Sequence, residues 1–404
     1  MISPDEALKL VLEHALPRSP QMLPLSEACG LQLAEQLRAD RDYPPFPRAM
    51  MDGYAVRLAD AGRTVEVVAE VAAGRTADVP VADGSAVEIM TGAPCPPGTQ
   101  AVVPKEQVQR SGNRVALPTP LPLGQHIAPQ GSECRAGAVV LQAGQTLTPL
   151  AVAVLASIGS QRVLAIPRPS LAVITTGEEL VPPGQQPAPD QIRNSNGPMI
   201  LAMARQWGLE RLTHLHTVDD PDATLRALET VADRDLILFT GGVSAGNYDF
   251  VPATLAGYGA VTIFHHVAQK PGKPLLVARK DRQLIFGLPG NPLACHLGFH
   301  RYVTAAMRSM QGQRPLAAAL LGQLDVPVSS QHRRTFFLLA QARYDATAPG
   351  GWRVAPAAGS SSADVFGPCR ANCYVRIPPG PVQVAAGETV ELTWINQAAD
   401  GSQI

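Results

Sequence analysis

Polar and apolar positions at the start of the chain follow a helical period. In MISPDEALKLVLEHAL, residues Ala7, Leu8, Val11, Leu12 and Leu16 form one stripe. Ser3 stands at the cap position, Pro4 suits the first turn and Glu6 completes a capping box, so a helix is predicted. The period then breaks. RDYPPFPRAMMDGYAV (41–56) carries prolines at 44, 45 and 47, which exclude a regular helix, and MDGYAV turns into a strand. From 44 to 137 short strands are broken by Gly and Pro (VEVVAEVAAG, AVEIMTGAPCPPG, AVVPKEQV, RVALPTPL), which reads as a small β-rich module. GQTLTPLAVAVLASIG (144–159) returns to a helix with a threonine cap.

After PRPS (167–170) the texture changes. LAVITTGEEL and DLILFTGG are apolar strands, GPMILAMARQWG, PDATLRALETVADR and NPLACHLGFHRYVTAAM read as helices, and VTIFHHV, PLLVA and QLIFGLPG are further strands. Strands alternating with helices predict a parallel α/β sheet over 169–315. The tail from 316, with DVPVSS, TFFLLAQARY, GWRVAPAA, CYVRIPPG and ETVELTWI, predicts a small β-barrel or sandwich.

Composition narrows the class. With 404 residues the chain exceeds one ordinary core, and 46% hydrophobic residues with a formal net charge of −1 describe a globular protein. That balance offers no cationic surplus for a phosphate backbone, so no nucleic-acid partner is expected. Apolar runs such as AVAVLASIG (151–159) fall far short of the roughly 20 residues a bilayer span needs, so no membrane is expected either. The N-terminus lacks a basic leader, which makes cytoplasmic placement the expectation. None of the six cysteines forms a C-x-x-C pair, so reduced thiols are a better reading than a zinc site.

Candidate chemistry gathers at strand ends. In an open sheet, ligands sit beyond the carboxyl ends of the strands. LAVI ends in TTGEE, LILF in TGGVSAG and LIFG in LPGNP. Their glycines (Gly241, Gly242, Gly246, Gly290), with Ser244 and Asn291, suit close approach to an anion. One such loop is explained equally by a bare turn; three together point to one crevice. The loops match neither a Walker A sequence nor a dinucleotide fingerprint. Asp249 is a helix cap or a carboxylate for Mg2+; Asp219 and Asp220 precede Pro221 at a helix start, where capping accounts for one of them. Lys270 and Lys273 in KPGKP suit an oxyanion or an exposed turn. His265 and His266 are expected to face opposite ways on a strand, against a paired metal site.

PPFPRAMMDGYAV, MTGAPCPPGT, TTGEEL, TGGVSAGNYDF, KPGKP and GLPGNP occur in one order over most of the chain. Together they closely resemble the molybdopterin molybdotransferase family, the bacterial MoeA proteins related to the E domain of gephyrin. The resemblance implies an elongated multidomain α/β plus β chain that forms a homodimer. Its domain I is split (1–43 and 138–168) around a β-rich domain II (44–137). Domain III (169–315) is then a molybdopterin-binding parallel α/β domain and domain IV (316–404) a small β-barrel. It further implies insertion of molybdate into adenylated molybdopterin with release of AMP, assisted by Mg2+. Handover to a molybdopterin adenylyltransferase and downstream cofactor proteins is implied as well.

Carried over by motif, Asp52 and Thr91 resemble cross-subunit contributions to the site. Glu179, Asp219 and Asp249 resemble the acidic set for Mg2+ and pyrophosphate, and Lys270 and Lys273 an anion-binding pair. Pro289 and Pro292 shape the last loop, while Arg334 and Ser360 match basic and hydroxyl positions of the C-terminal domain. Two positions depart from the family. Glu133 stands where aspartate is frequent, and His266 stands where a second basic residue is usual, so it would hold an oxyanion only when protonated. The rival functions are a molybdopterin adenylyltransferase and a non-catalytic, gephyrin-like scaffold.

Overall fold

A computed structural model describes residues 1–75, 79–242, 251–314, 320–359 and 361–395. The chain divides into two compact units, one built from Met1–Gln21 and Ile166–Ile404, the other from Met22–Ala165.

In the first unit the predicted N-terminal helix forms as Pro4–His14, and the Ser3 hydroxyl accepts from the Glu6 amide. Ala7, Leu8 and Val11 pack into the core of the α/β region. Leu16 does not join them. The helix stops at His14 and Leu16 is exposed, because Pro17 disfavours helical backbone at the residue before it.

The central sheet runs in the order Leu212–Thr217, Leu171–Thr176, Leu236–Thr240, Gln283–Leu288, Leu276–Lys280, Val261–His265. The first four are mutually parallel; the three inner ones are buried on both faces, and the edge strand Leu212–Thr217 is only partly buried. The expectation of a wholly parallel sheet needs correction at one strand. Leu276–Lys280 is antiparallel to both neighbours. Only Asp281 and Arg282 separate it from Gln283, and a two-residue link makes a hairpin but cannot cross over to a parallel partner.

The tail closes into a barrel of five strands: Leu320–Leu324, Thr335–Tyr344, Trp352–Pro356, Cys373–Ile377 and Thr389–Trp394. Its interior holds Leu324, Val354, Val375, Leu392 and Trp394. The two-residue strand Gln269–Lys270, which belongs in sequence to the α/β region, adds in parallel to the barrel strand Thr335–Tyr344.

In the second unit a six-stranded sheet runs Ala101–Pro104, Gly53–Val56, Ser85–Ile89, Thr64–Val71, Arg114–Ala116, Gln109–Ser111, which is the predicted β-rich module. The helix Pro149–Ser157 is capped by Thr148, whose hydroxyl accepts from the Ala151 amide. Among the described residues no helix is long and apolar enough to cross a membrane.

Candidate active site

The three glycine-bearing loops follow strands that are neighbours in the sheet, and they meet. Thr175 pairs with Thr240, and Thr240 with Leu288, so the loops leave the carboxyl edge side by side. The Gly241 amide donates to the Leu288 carbonyl at 3.2 Å. Gly241 has φ +99°, and a Cβ there would lie 2.8 Å from the Thr176 hydroxyl and 2.9 Å from its carbonyl oxygen, so glycine is required twice over. An open cleft of about 620 Å³ lies at this edge.

The antiparallel strand supplies the opposite wall. Because Leu276–Lys280 runs against its neighbours, it begins at the edge where they end, and the KPGKP turn before it faces the same cleft. Gln269 holds this turn from beneath. It is buried, its Nε2 donates to the Gly272 carbonyl at 3.1 Å, and its Oε1 accepts from the Tyr302 hydroxyl at 2.5 Å. The added barrel strand brings Arg334 alongside, where its Nη1 donates to the Gln269 carbonyl at 3.1 Å. Lys270, Lys273 and Arg334 all line the cleft. Among the described residues none of the three forms an ion pair with a carboxylate. Lys270 Nζ instead donates to His332 Nε2 at 2.6 Å. Burial, then the charges of Lys270 and Arg334, push the His332 pKa down, which keeps the imidazole neutral and able to accept that bond.

Glu179 reaches the cleft from the first loop, its carboxylate folded against the Cα of Gly177. Pro289, Gly290 and Asn291 line the third, and Pro292 opens the helix Pro292–Gly298 behind them. Gly241 and Gly242 line the second; Ser244, Gly246, Asp249 and Ser360 lie outside the described residues. Asp219 follows strand Leu212–Thr217, is exposed, and is not among the cleft residues, while its neighbour Asp220 is the helix cap, accepting from the Ala223 amide at 2.7 Å. Sequence reasoning did not single out Thr176, Asn196 and Ser362, which line the cleft, or His332, one contact away. Thr176 sits inside the quoted TTGEEL and Asn196 in QIRNSNGP, where a helix begins just after a loop; that was the available signal.

His266 needs a correction. The strand ends at His265, and His266 turns into the left-handed region at φ +93°, which swings its ring back onto that of His265 with centroids 4.1 Å apart. The strand rule of opposite faces stops where the strand does. Burial and the adjacent His265 push the His266 pKa below its ordinary value, so it is a weaker cation at neutral pH than its place in the motif suggests.

In the second unit Asp52 and Thr91 come together. Asp52 Oδ1 accepts from the Thr91 amide at 2.7 Å and from its hydroxyl at 2.6 Å. These bonds, with a smaller contribution from Lys105, hold the exposed carboxyl below the usual range. Glu133 pairs with Arg48 at 2.6 Å on the same unit's surface.

Three family models cover most of the chain. The MoeA N-terminal region (domains I and II) matches residues 2–159, a probable molybdopterin-binding domain 172–309, and the MoeA C-terminal region (domain IV) 322–394. A molybdopterin molybdenumtransferase of Staphylococcus aureus is 34% identical over 96% of this chain and 94% of its own. The chain belongs to the MoeA family. A molybdopterin molybdenumtransferase of Staphylococcus epidermidis is 32% identical over 97% of this chain and 95% of its own. The crystal structure of a molybdopterin biosynthesis MoeA protein from Pyrococcus horikosii superposes with a TM-score of 0.80 at 27% identity, covering 98% of this chain and 99% of that one. The family therefore carries both the central α/β fold and the terminal barrel.

Proposed function

We infer that this chain is a molybdopterin molybdenumtransferase of molybdenum cofactor biosynthesis, which inserts molybdate into adenylated molybdopterin and releases AMP. The observation that carries the reading is the cleft in which three glycine loops face Lys270, Lys273 and Arg334. Molybdate is a tetrahedral dianion and the adenylated pterin carries a pyrophosphate, so both require cations and backbone N–H groups and no covalent enzyme intermediate. In this reading the lysines and Arg334 bind and orient the anions. Backbone amides at Gly242 and Gly290 approach them closely, Gly241 lets the second loop lie against the first, and Asn291 and Pro292 fix the third loop.

Mg2+ belongs to the same proposal. Magnesium is commonly held by one or two carboxylates together with ligand phosphates, and Glu179 is the one carboxylate lining the cleft among the described residues, a donor set that fits. Glu179, with Asp249, would hold the ion, which supplies charge stabilisation for the departing AMP. Asp219 has no part in that set on its present placement. Asp52 and Thr91 serve the site from the second copy of a homodimer, as the resemblance implies, and the four-domain division and cytoplasmic placement belong to the same reading.

The test is molybdate-dependent AMP release from adenylated molybdopterin and Mg2+. Lys270→Ala and Asp52→Ala are each expected to abolish it. Co-expressed in equal amounts, the two variants restore about a quarter of wild-type activity, because about half of the dimers are mixed and each mixed dimer has one of its two sites intact. Failure of complementation would remove the cross-subunit assignment. Adenylated pterin made from ATP and molybdopterin would favour the adenylyltransferase, and a dimer without AMP release the scaffold.

A further inference from the structure

The cleft walls are cationic, yet two polar atoms of its lining have no partner among the described residues. The side-chain nitrogen of Asn196 donates to the Gly290 carbonyl at 2.7 Å. That bond fixes the amide: turned over, two oxygens would face each other. Its Oδ1 is therefore the free end, in a side chain that is only 8% exposed, and among the described residues it has no hydrogen-bond partner. Thr176, 4% exposed at the end of its strand, has an equally unpartnered hydroxyl. Both residues line the cleft. A native fold rarely leaves such groups unpaired, because each loses its water on burial and regains nothing.

The chemistry of the atoms limits the missing partner. An amide oxygen accepts and cannot donate. Fully ionised phosphate and molybdate also only accept, so neither can satisfy Asn196 Oδ1. We propose that Asn196 and Thr176 are specificity residues that hydrogen-bond a neutral N–H or O–H group on the organic part of the ligand, while the lysines and Arg334 take its anionic part. The site thereby distinguishes the adenylated pterin from a bare oxyanion. A pocket built around such a donor strongly rejects an analogue lacking it, since the acceptor is then stranded. This rests on the reading of the cleft as the molybdopterin site.

Two variants test it. Thr176→Val keeps the shape and strand preference and breaks no bond within the protein, so a purely structural role predicts no loss of affinity. Asn196→Leu removes the acceptor but also the bond to Gly290. Binding of adenylated molybdopterin, AMP and molybdate is measured by calorimetry on the full-length protein, with thermal unfolding alongside. Thr176→Val is expected to unfold no earlier than wild type, yet to bind adenylated molybdopterin about fivefold to tenfold more weakly, and Asn196→Leu more weakly still. In Asn196→Leu molybdate affinity stays within about twofold, the signature of a contact that an acceptor-only anion does not make. An AMP affinity that falls in parallel assigns the donor to the nucleotide; an AMP affinity that holds assigns it to the pterin. Unchanged affinity for adenylated molybdopterin in both variants overturns the proposal, because the two oxygens then make no bond to the ligand. Equal weakening of all three ligands with earlier unfolding also overturns it, since the residues would then hold the loops. A wild-type protein that binds none of the probes refutes the molybdopterin reading itself and this inference with it.

Discussion

The cleft of the first unit and the Asp52 corner of the second are both built from short motifs, yet they are finished differently. At Asp52 the partners are internal: Thr91 supplies two donors, and nearby Glu88 bridges Lys105 at 3.1 Å and Arg110 at 2.8 Å. In the cleft, cations face a neutral histidine and two buried oxygens have no partner among the described residues. A satisfied corner is preorganised for contact through its exposed face, whereas an unsatisfied floor is completed by what binds to it. Local hydrogen-bond accounting thus separates two sites that motif reading treats alike.

The largest expected effect strikes the cleft through its backbone. Gly241→Ala combines a left-handed backbone with a Cβ pressed against Thr176, and should cost about 2–3 kcal/mol in chemical denaturation together with ligand binding. A variant that unfolds like wild type would mean that the loops at this edge are not held in their observed register.

Unpartnered atoms need not all await a ligand, and His300 provides the control. Among the described residues both its ring nitrogens are buried and unpartnered although it does not line the cleft, and burial, with help from His296 and Arg301, pushes its pKa from 6.5 down to about 3. Its folded value lies below the unfolded one. The stability it contributes is therefore complete above pH 6.5 and is lost as pH falls toward 3. His300→Phe keeps the stack on Tyr374 and should stabilise the protein by about 1–2 kcal/mol at neutral pH, while flattening the acid loss. A destabilised variant would show that the imidazole is satisfied in solution, which would weaken the same argument at Asn196.

At the satisfied corner, Thr91→Val should move the Asp52 titration up toward the ordinary carboxylate range, read by NMR. The sign follows from the lowered folded pKa: the contribution is present above the ordinary carboxylate value and disappears as pH falls through the folded one. An unmoved Asp52 would mean that Lys105 rather than Thr91 controls it. The smallest effect belongs to Glu133. Its ion pair with Arg48 is exposed, so Glu133→Gln should change stability by less than about 0.5 kcal/mol, and its pairing gives no reason to expect more at this site.

Much of the fold was legible because it rests on local chemistry. Ser3 and Thr148 cap the helices they precede, the apolar runs of 171–176, 236–240 and 283–288 form buried strands, and the family motifs stand in sequence order. Loop composition also identified most of the cleft, since glycine, lysine and proline impose backbone and charge wherever they occur. What remained illegible depends on partners distant in the chain. The reversed strand at 276–280 places Lys270 and Lys273 opposite the glycine loops, and the added barrel strand places Arg334 beside them. The stacking of His265 on His266 follows from one left-handed residue at a strand end. The vacant oxygen of Asn196 is defined by a carbonyl 94 positions away. The sequence by itself determined the elements and the chemical character of the loops, through backbone preference, apolar periodicity and side-chain type. Only the tertiary structure decided which groups meet, which are desolvated and which are left unpaired, because pairing and burial are properties of neighbours that no local stretch contains.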